Sequence, residues 1–153
     1  MERLNRPRRL RRNELVRDLA AQTQLNINGL IQPYFVTDGS GIHDEIKGLP
    51  GIYRDSVDEL VKSINDDVKL GINKIMLFGV TDRKDALAST GWDAKNPVIK
   101  ATKELKQTFG ETLFVSADVC LCAYTDTGHC GVTIDGKIDN DKSEYWVRFR
   151  ASD

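Results

Sequence analysis

The apolar positions of this chain gather into three short, nearly continuous runs separated by two segments of helical periodicity. The runs are LIQPYFV (30–36), INKIMLFGV (72–80) and TLFVSADV (112–119), each of strand length. Near-continuous runs, as opposed to alternating ones, belong to strands covered on both faces. Pro33 counts against a central, fully hydrogen-bonded place for the first, because proline brings no N–H to a ladder. Between the first two runs, Val57, Leu60, Val61, Ile64 and Val68 recur every three or four residues until Gly71. Ser56 and Glu59 precede them with the spacing of a capping box. Between the second and third runs, Asn96 is placed as an N-cap with Pro97 at the first helical position. Val98, Ala101, Leu105 and Phe109 form the apolar stripe of that helix, and Gly110 ends it. The Gly-rich stretch GIHDEIKGLPGIYR reads as irregular, and 81–95 as a long polar loop. Ahead of everything, Leu15, Val16, Leu19 and Ala20 share one side of a short amphipathic helix expected to end near Asn26–Gly29.

Strands alternating with helices predict parallel strands joined by helical crossovers, an α/β fold. The unit is either an open doubly wound sheet or part of a (β/α)8 TIM barrel. No G-x-G-x-x-G loop follows the first strand, which removes support for dinucleotide binding. A complete barrel takes about 250 residues. Three strands and two crossovers are visible here, so if the unit is a barrel the chain holds less than half of it.

Composition changes this picture little. A 153-residue chain with 40% hydrophobic and 29% charged residues is that of an ordinary globular domain. No segment approaches the roughly 20 consecutive apolar residues of a membrane span, and the start lacks the apolar stretch of a secretory signal. A cytoplasmic address without membrane attachment is expected. The net charge of −1 conceals an uneven distribution: Arg3, Arg6, Arg8, Arg9, Arg11, Arg12 and Arg17 stand against Glu2 and Glu14 in the first 17 residues. Such an arm could bind nucleic acid or a membrane surface, pack on the acidic body of a neighbouring subunit, or simply be solvated. The absence of aromatic residues among these arginines argues against nucleic acid.

All three cysteines fall in DVCLCAYTDTGHCG (118–131), just past the third strand. In parallel α/β folds the working residues collect at that C-terminal edge. Three thiolates suit Zn²⁺, and three protein ligands without a fourth match an open catalytic site more than a closed structural one. His129 adjoins Cys130, and neighbouring residues rarely reach one ion together, so it reads as a group beside the metal or in contact with substrate. The spacing C-x-C-x7-C is unlike common zinc fingers. Buried reduced thiols packed as small hydrophobes, or a redox C-x-C pair, remain alternatives at this stage.

The same stretch resembles the zinc loop of the porphobilinogen synthase (5-aminolevulinate dehydratase) family. RPRRLRR, LIQPYFV, IKGLPGIYR, INKIMLFGV followed by Arg83-Lys84-Asp85, and GKIDND occur in family order, covering roughly residues 6–141. The resemblance implies a partial (β/α)8 TIM barrel of about the first three strands, with 1–28 as a basic N-terminal arm, 29–141 as barrel and 142–153 as a non-family tail, from a family that condenses two molecules of 5-aminolevulinate into porphobilinogen in haem biosynthesis. It implies a catalytic zinc on Cys120, Cys122 and Cys130, with Asp118 and His129 as active-site positions. It also implies that the basic arm wraps a neighbouring subunit in a homo-oligomer. Two departures stand out: Thr127 occupies a usual His position, and the family's two Schiff-base lysines belong to later strands. Lys47, Lys62, Lys69 and Lys74 are read as solvated. KSEYWVRFRASD matches no family pattern, so an inactive product that binds zinc or docks on full-length subunits is the alternative function.

Overall fold

The computed structural model describes residues 8–151; the expectations for Arg3 and Arg6 lie outside them. Its centre is a five-stranded sheet in the order β2-β3-β1-β4-β5. The strands are β1 (Gln32–Thr37), β2 (His43–Glu45), β3 (Tyr53–Asp55), β4 (Lys74–Val80) and β5 (Phe114–Ala117). β3, β1, β4 and β5 run parallel, and β2 pairs antiparallel with β3. The crossovers are helices α2 (Val57–Lys69) and α3 (Pro97–Phe109), as the apolar periodicity predicts. The α/β class and parallel sheet hold; among the described residues the sheet is open, with no closed barrel.

One face of the sheet carries the core. Val36, Ile75 and Leu77 pack with Leu60 and Ile64 of α2, and with Val98, Ala101 and Leu105 of α3. β4 is not equally covered on both faces: Ile75, Leu77 and Gly79 are buried, whereas Met76, Phe78 and Val80 are only half-buried. On that second face Phe35 and Phe78 lie in register, with ring centroids 5.6 Å apart. A groove of about 770 Å³ also opens there, between Phe35, Val80, Arg54 and residues 43–49; none of these is a cysteine.

Three expectations need correction. The 43–55 segment is not irregular: it forms the β2–β3 hairpin, with His43 opposite Asp55 and Glu45 opposite Tyr53. Its Gly and Pro residues make the turn between strands too short for periodicity to reveal. β1 is central despite Pro33, because β3 pairs only with Phe35 and Val36 and leaves Pro33 with one neighbouring strand. The capping box does not form, although Ser56 is the N-cap of α2. Its buried hydroxyl instead accepts the Ile42 N–H at 2.9 Å and donates to Asp58 at 2.5 Å, while Glu59 pairs with Lys62 at 2.7 Å. The hairpin takes over the capping oxygen.

The arm differs as well. α1 (Glu14–Ala20) starts where Asn13 accepts the Val16 N–H, and it stops well before Asn26. A separate 3-10 turn follows at Ile27–Gly29. Leu15 and Leu19 are 79% and 89% exposed, so no packed face extends the helix beyond two turns. Past the sheet come a small hairpin, β6 (Thr133–Ile134) with β7 (Lys137–Ile138), and α4 (Asn140–Ala151), which runs straight across the expected boundary at 141.

Candidate metal centre

The cysteine segment leaves the sheet at the C-terminal end of β5, where Asp118 N–H donates to the Leu77 carbonyl at 2.9 Å. The Asp118 carboxylate turns forward to accept the Cys120 N–H at 3.3 Å. Leu121 N-terminal to the bend is buried, and its carbonyl accepts from the N–H groups of Tyr124 and Thr125 at 2.9 and 3.0 Å, closing one helical turn. That turn puts Cys120 and Cys122 side by side, with Sγ atoms 3.3 Å apart. The Thr125 hydroxyl then donates to the His129 carbonyl at 2.7 Å and folds the chain back. Cys130 thereby returns to the pair, and the three sulfurs all lie within 4.8 Å of one another.

Those separations suit a shared ion. Three thiolates at the usual Zn–S length of about 2.3 Å around a tetrahedron stand roughly 3.8 Å apart. The separation of 3.3 Å and the limit of 4.8 Å bracket that value, so small side-chain rotations suffice. All three cysteines are free thiols, Cys130 exposed and the others half-buried. Burial works against a Cys120 thiolate, but the Cys122 N–H and the Cys122 and Cys130 thiols donate to it and hold its pKa below the ordinary thiol value. Donating to Cys120, together with burial, pushes Cys122 up to about 11. The same donation raises Cys130. Cysteine ligands bind a metal as thiolates, so a divalent cation bound here would displace the protons that these thiols hold.

Of the five candidate residues, the structure gathers the three cysteines and sets Asp118 against their backbone. His129 is exposed and is anchored through its main chain, its N–H reaching the Thr127 hydroxyl at 3.4 Å. Neither Asp118 nor His129 belongs to the sulfur cluster.

Sequence reasoning missed the supports of this loop. Tyr124 is fully buried in a second apolar cluster with Ala88 and Leu121, joined by Trp92, Ala123 and Val147 of α4. Its phenol stands over β4 at Gly79, where an added Cβ would lie 2.1 Å from Oη. On the other limb, Gly131 packs against Ser143 of α4, whose hydroxyl donates to the Asp139 carbonyl at 2.6 Å and accepts the Val132 N–H at 2.9 Å. A further polar cluster at the hairpin went unnoticed: His43 Nδ1 and the buried Asp55 carboxylate are 2.7 Å apart, and Ser63 donates to the same carboxylate at 3.1 Å. Only the isolated apolar Tyr and the Gly at an inward strand position hinted at any of this.

A mostly parallel α/β sheet with three cysteine sulfurs gathered at the C-terminal edge of one strand defines an α/β domain with a candidate metal site. Comparison with known proteins narrows the class. A family model described as delta-aminolevulinic acid dehydratase matches residues 4–151, and the chain belongs to that family. The match runs on through most of the 142–153 segment. The chain is 44% identical over 137 residues to the delta-aminolevulinic acid dehydratase of Helicobacter pylori, covering 89% of this chain and 42% of that protein. The Ruminiclostridium josui protein of the same name is 36% identical over 140 residues, covering 92% of this chain and 68% of the relative. A crystal structure of the Toxoplasma gondii ME49 delta-aminolevulinic acid dehydratase, in complex with the reaction product porphobilinogen, superposes with a TM-score of 0.88 at 33% identity. That alignment covers 96% of this chain and 42% of the other.

Proposed function

We propose that this chain carries the metal-binding part of a porphobilinogen synthase, the activity that joins two molecules of 5-aminolevulinate into porphobilinogen. The observation that supports this most is the convergence of Cys120, Cys122 and Cys130 within 4.8 Å at a strand's C-terminal edge, in a member of this family. Zinc is the ion that three thiolates favour, and when bound it supplies Lewis acidity toward a substrate oxygen. Asp118 fixes the Cys120 backbone and adds negative charge beside the thiolates, which favours a cation there. To His129, which is exposed, we assign the role of meeting substrate. The open sheet is read as the first part of a (β/α)8 barrel, with α1 and its exposed Leu15 and Leu19 reaching to a second copy in a cytoplasmic homo-oligomer.

Condensation through Schiff bases calls for neutral lysine amines in a tuned pocket. The described lysines do not offer that: Lys62 and Lys69 are exposed and ion-paired, Lys62 with its pKa raised by Glu59. The chain spans 42% of the length of its Helicobacter pylori relative. We therefore propose that none of the described lysines supplies those amines, and that this chain alone gives no porphobilinogen from 5-aminolevulinate. Two measurements test the reading. The purified chain should retain one zinc per polypeptide and lose it in the Cys120→Ser, Cys122→Ser variant; equal retention by the variant contradicts the site. Turnover by this chain alone would overturn that reading of the lysines.

Among the described residues no helix is long and apolar enough to cross a membrane.

A further inference from the structure

The limb of the loop that separates Cys122 from Cys130 is tied from outside by backbone hydrogen bonds to Asp85. Asp85 lies in the polar stretch after β4, in a parallel bridge to Thr125. Its N–H donates to the Tyr124 carbonyl at 3.1 Å, and its carbonyl accepts the Asp126 N–H at 3.2 Å. The side chain of the same residue shapes the turn that makes this edge available. One carboxylate oxygen accepts the Leu87 N–H at 2.9 Å and the Ser89 N–H at 3.0 Å. The Ser89 hydroxyl donates to the other oxygen. This turn drives Ala88 into the left-handed region, at φ 56°, and into the apolar cluster against Leu121 and Tyr124. Desolvation opposes the ionised carboxyl, yet the Ser89 hydroxyl and the N–H groups of Ser89, Leu87 and Ala88 together hold its pKa below the ordinary carboxylate value. Asp85 therefore joins the 85–89 turn to the cysteine loop without being one of the sulfur-cluster residues.

We propose that Asp85 is a positioning residue of the metal centre, acting through the backbone of Tyr124 and Asp126 to preset the distance between Cys130 and the Cys120–Cys122 pair. The proposal rests on the metal reading above and deepens it. Without the bridge, the seven residues between Cys122 and Cys130 must be ordered when the cation binds, and that entropy is subtracted from affinity. With it, the loop waits in the geometry the ion requires.

The test uses the full chain and zinc itself. Zinc affinity is measured by competition with a chromophoric chelator, and site geometry by the charge-transfer and d–d bands of the cobalt(II)-substituted protein. The unmodified chain, Asp85→Ala, Asp85→Asn and Ser89→Ala are compared, with unfolding of each metal-free protein as the check on folding. Asp85→Ala is expected to bind zinc at least about tenfold more weakly, the scale on which supports of metal ligands act, and to give weaker cobalt d–d bands. Asp85→Asn keeps an oxygen for the Leu87 and Ser89 N–H groups and should recover most of the affinity. Ser89→Ala removes one donor only and should lose a few-fold, which decides the matter if Asp85→Ala does not fold. Affinity and cobalt bands unchanged in Asp85→Ala, or in Ser89→Ala where that variant must decide, overturn the proposal while leaving the cysteine site intact. An Asp85→Asn variant as weak as Asp85→Ala also overturns it, since the turn would then not be what matters. An unmodified chain that binds no zinc removes both this proposal and the reading beneath it.

Discussion

Replacing Gly79 with alanine tests whether the tyrosine that underlies the cysteine loop is seated on the sheet. An alanine Cβ at this position would lie 2.1 Å from Tyr124 Oη, 3.0 Å from its Cζ and 3.0 Å from a Val98 methyl. The first distance is far inside contact, and Tyr124 is fully buried between Ala88 and Leu121, so the ring has nowhere to swing without moving the loop. Overpacking of this kind costs about 1–3 kcal/mol. For a domain of this size each kcal/mol lowers Tm by roughly 2–4 °C. The atom responsible is identified by repeating the change on a Tyr124→Phe background, which removes Oη and leaves contacts of 3.0 Å, close enough to be relieved by small shifts. The cost of Gly79→Ala should there fall to less than about half, a non-additivity that a double-mutant cycle in urea reads directly. Equal costs on the two backgrounds would refute the argument, because the clash would then lie elsewhere.

Two other outcomes follow from the polar anchors. The Asp58 carboxyl is held down to about 2 by the Ser56 hydroxyl and the Gly41 N–H. A depressed carboxylate stabilises the fold above its ordinary pKa near 4 and ceases to do so as pH drops through its folded value. The urea-midpoint gap between the unmodified chain and Asp58→Ala should therefore be constant from neutral pH to about 4 and close toward about 2; a gap independent of pH contradicts the assignment. Asn96 is buried at the start of α3, accepting the Val98 N–H at 2.8 Å and donating to the Thr90 and Gly91 carbonyls. Asn96→Ala should cost about 2 kcal/mol in urea unfolding, and a loss below about 0.5 would show that water replaces those bonds.

What the sequence disclosed was whatever periodicity and local chemistry encode. The stripes Val57–Val68 and Val98–Phe109 declare helices because one face must be apolar, and Asn96-Pro97 declares a start because its side-chain oxygen and its missing N–H suit the first turn. The crowding of three cysteines behind an apolar run disclosed the candidate site. Features that depend on distant partners were not disclosed. Ser56 has the spacing of a capping box, yet the Ile42 N–H, fourteen residues earlier, reaches the hydroxyl. Strands as short as His43–Glu45 and Tyr53–Asp55 carry too few residues to show an alternation. Leu15 and Leu19 look like one side of a core helix, and only the structure shows that nothing among the described residues covers them. Asp85 reads as one more surface acid until its bridge to Thr125 is seen.

The central claim is that Cys120, Cys122 and Cys130 hold one divalent cation and leave a position open. Zinc K-edge X-ray absorption on the metal-loaded chain measures that coordination directly. Three sulfur neighbours at about 2.3 Å and one nitrogen or oxygen neighbour near 2.0 Å are expected. A shell of nitrogen and oxygen alone, or one sulfur per zinc, would contradict the claim.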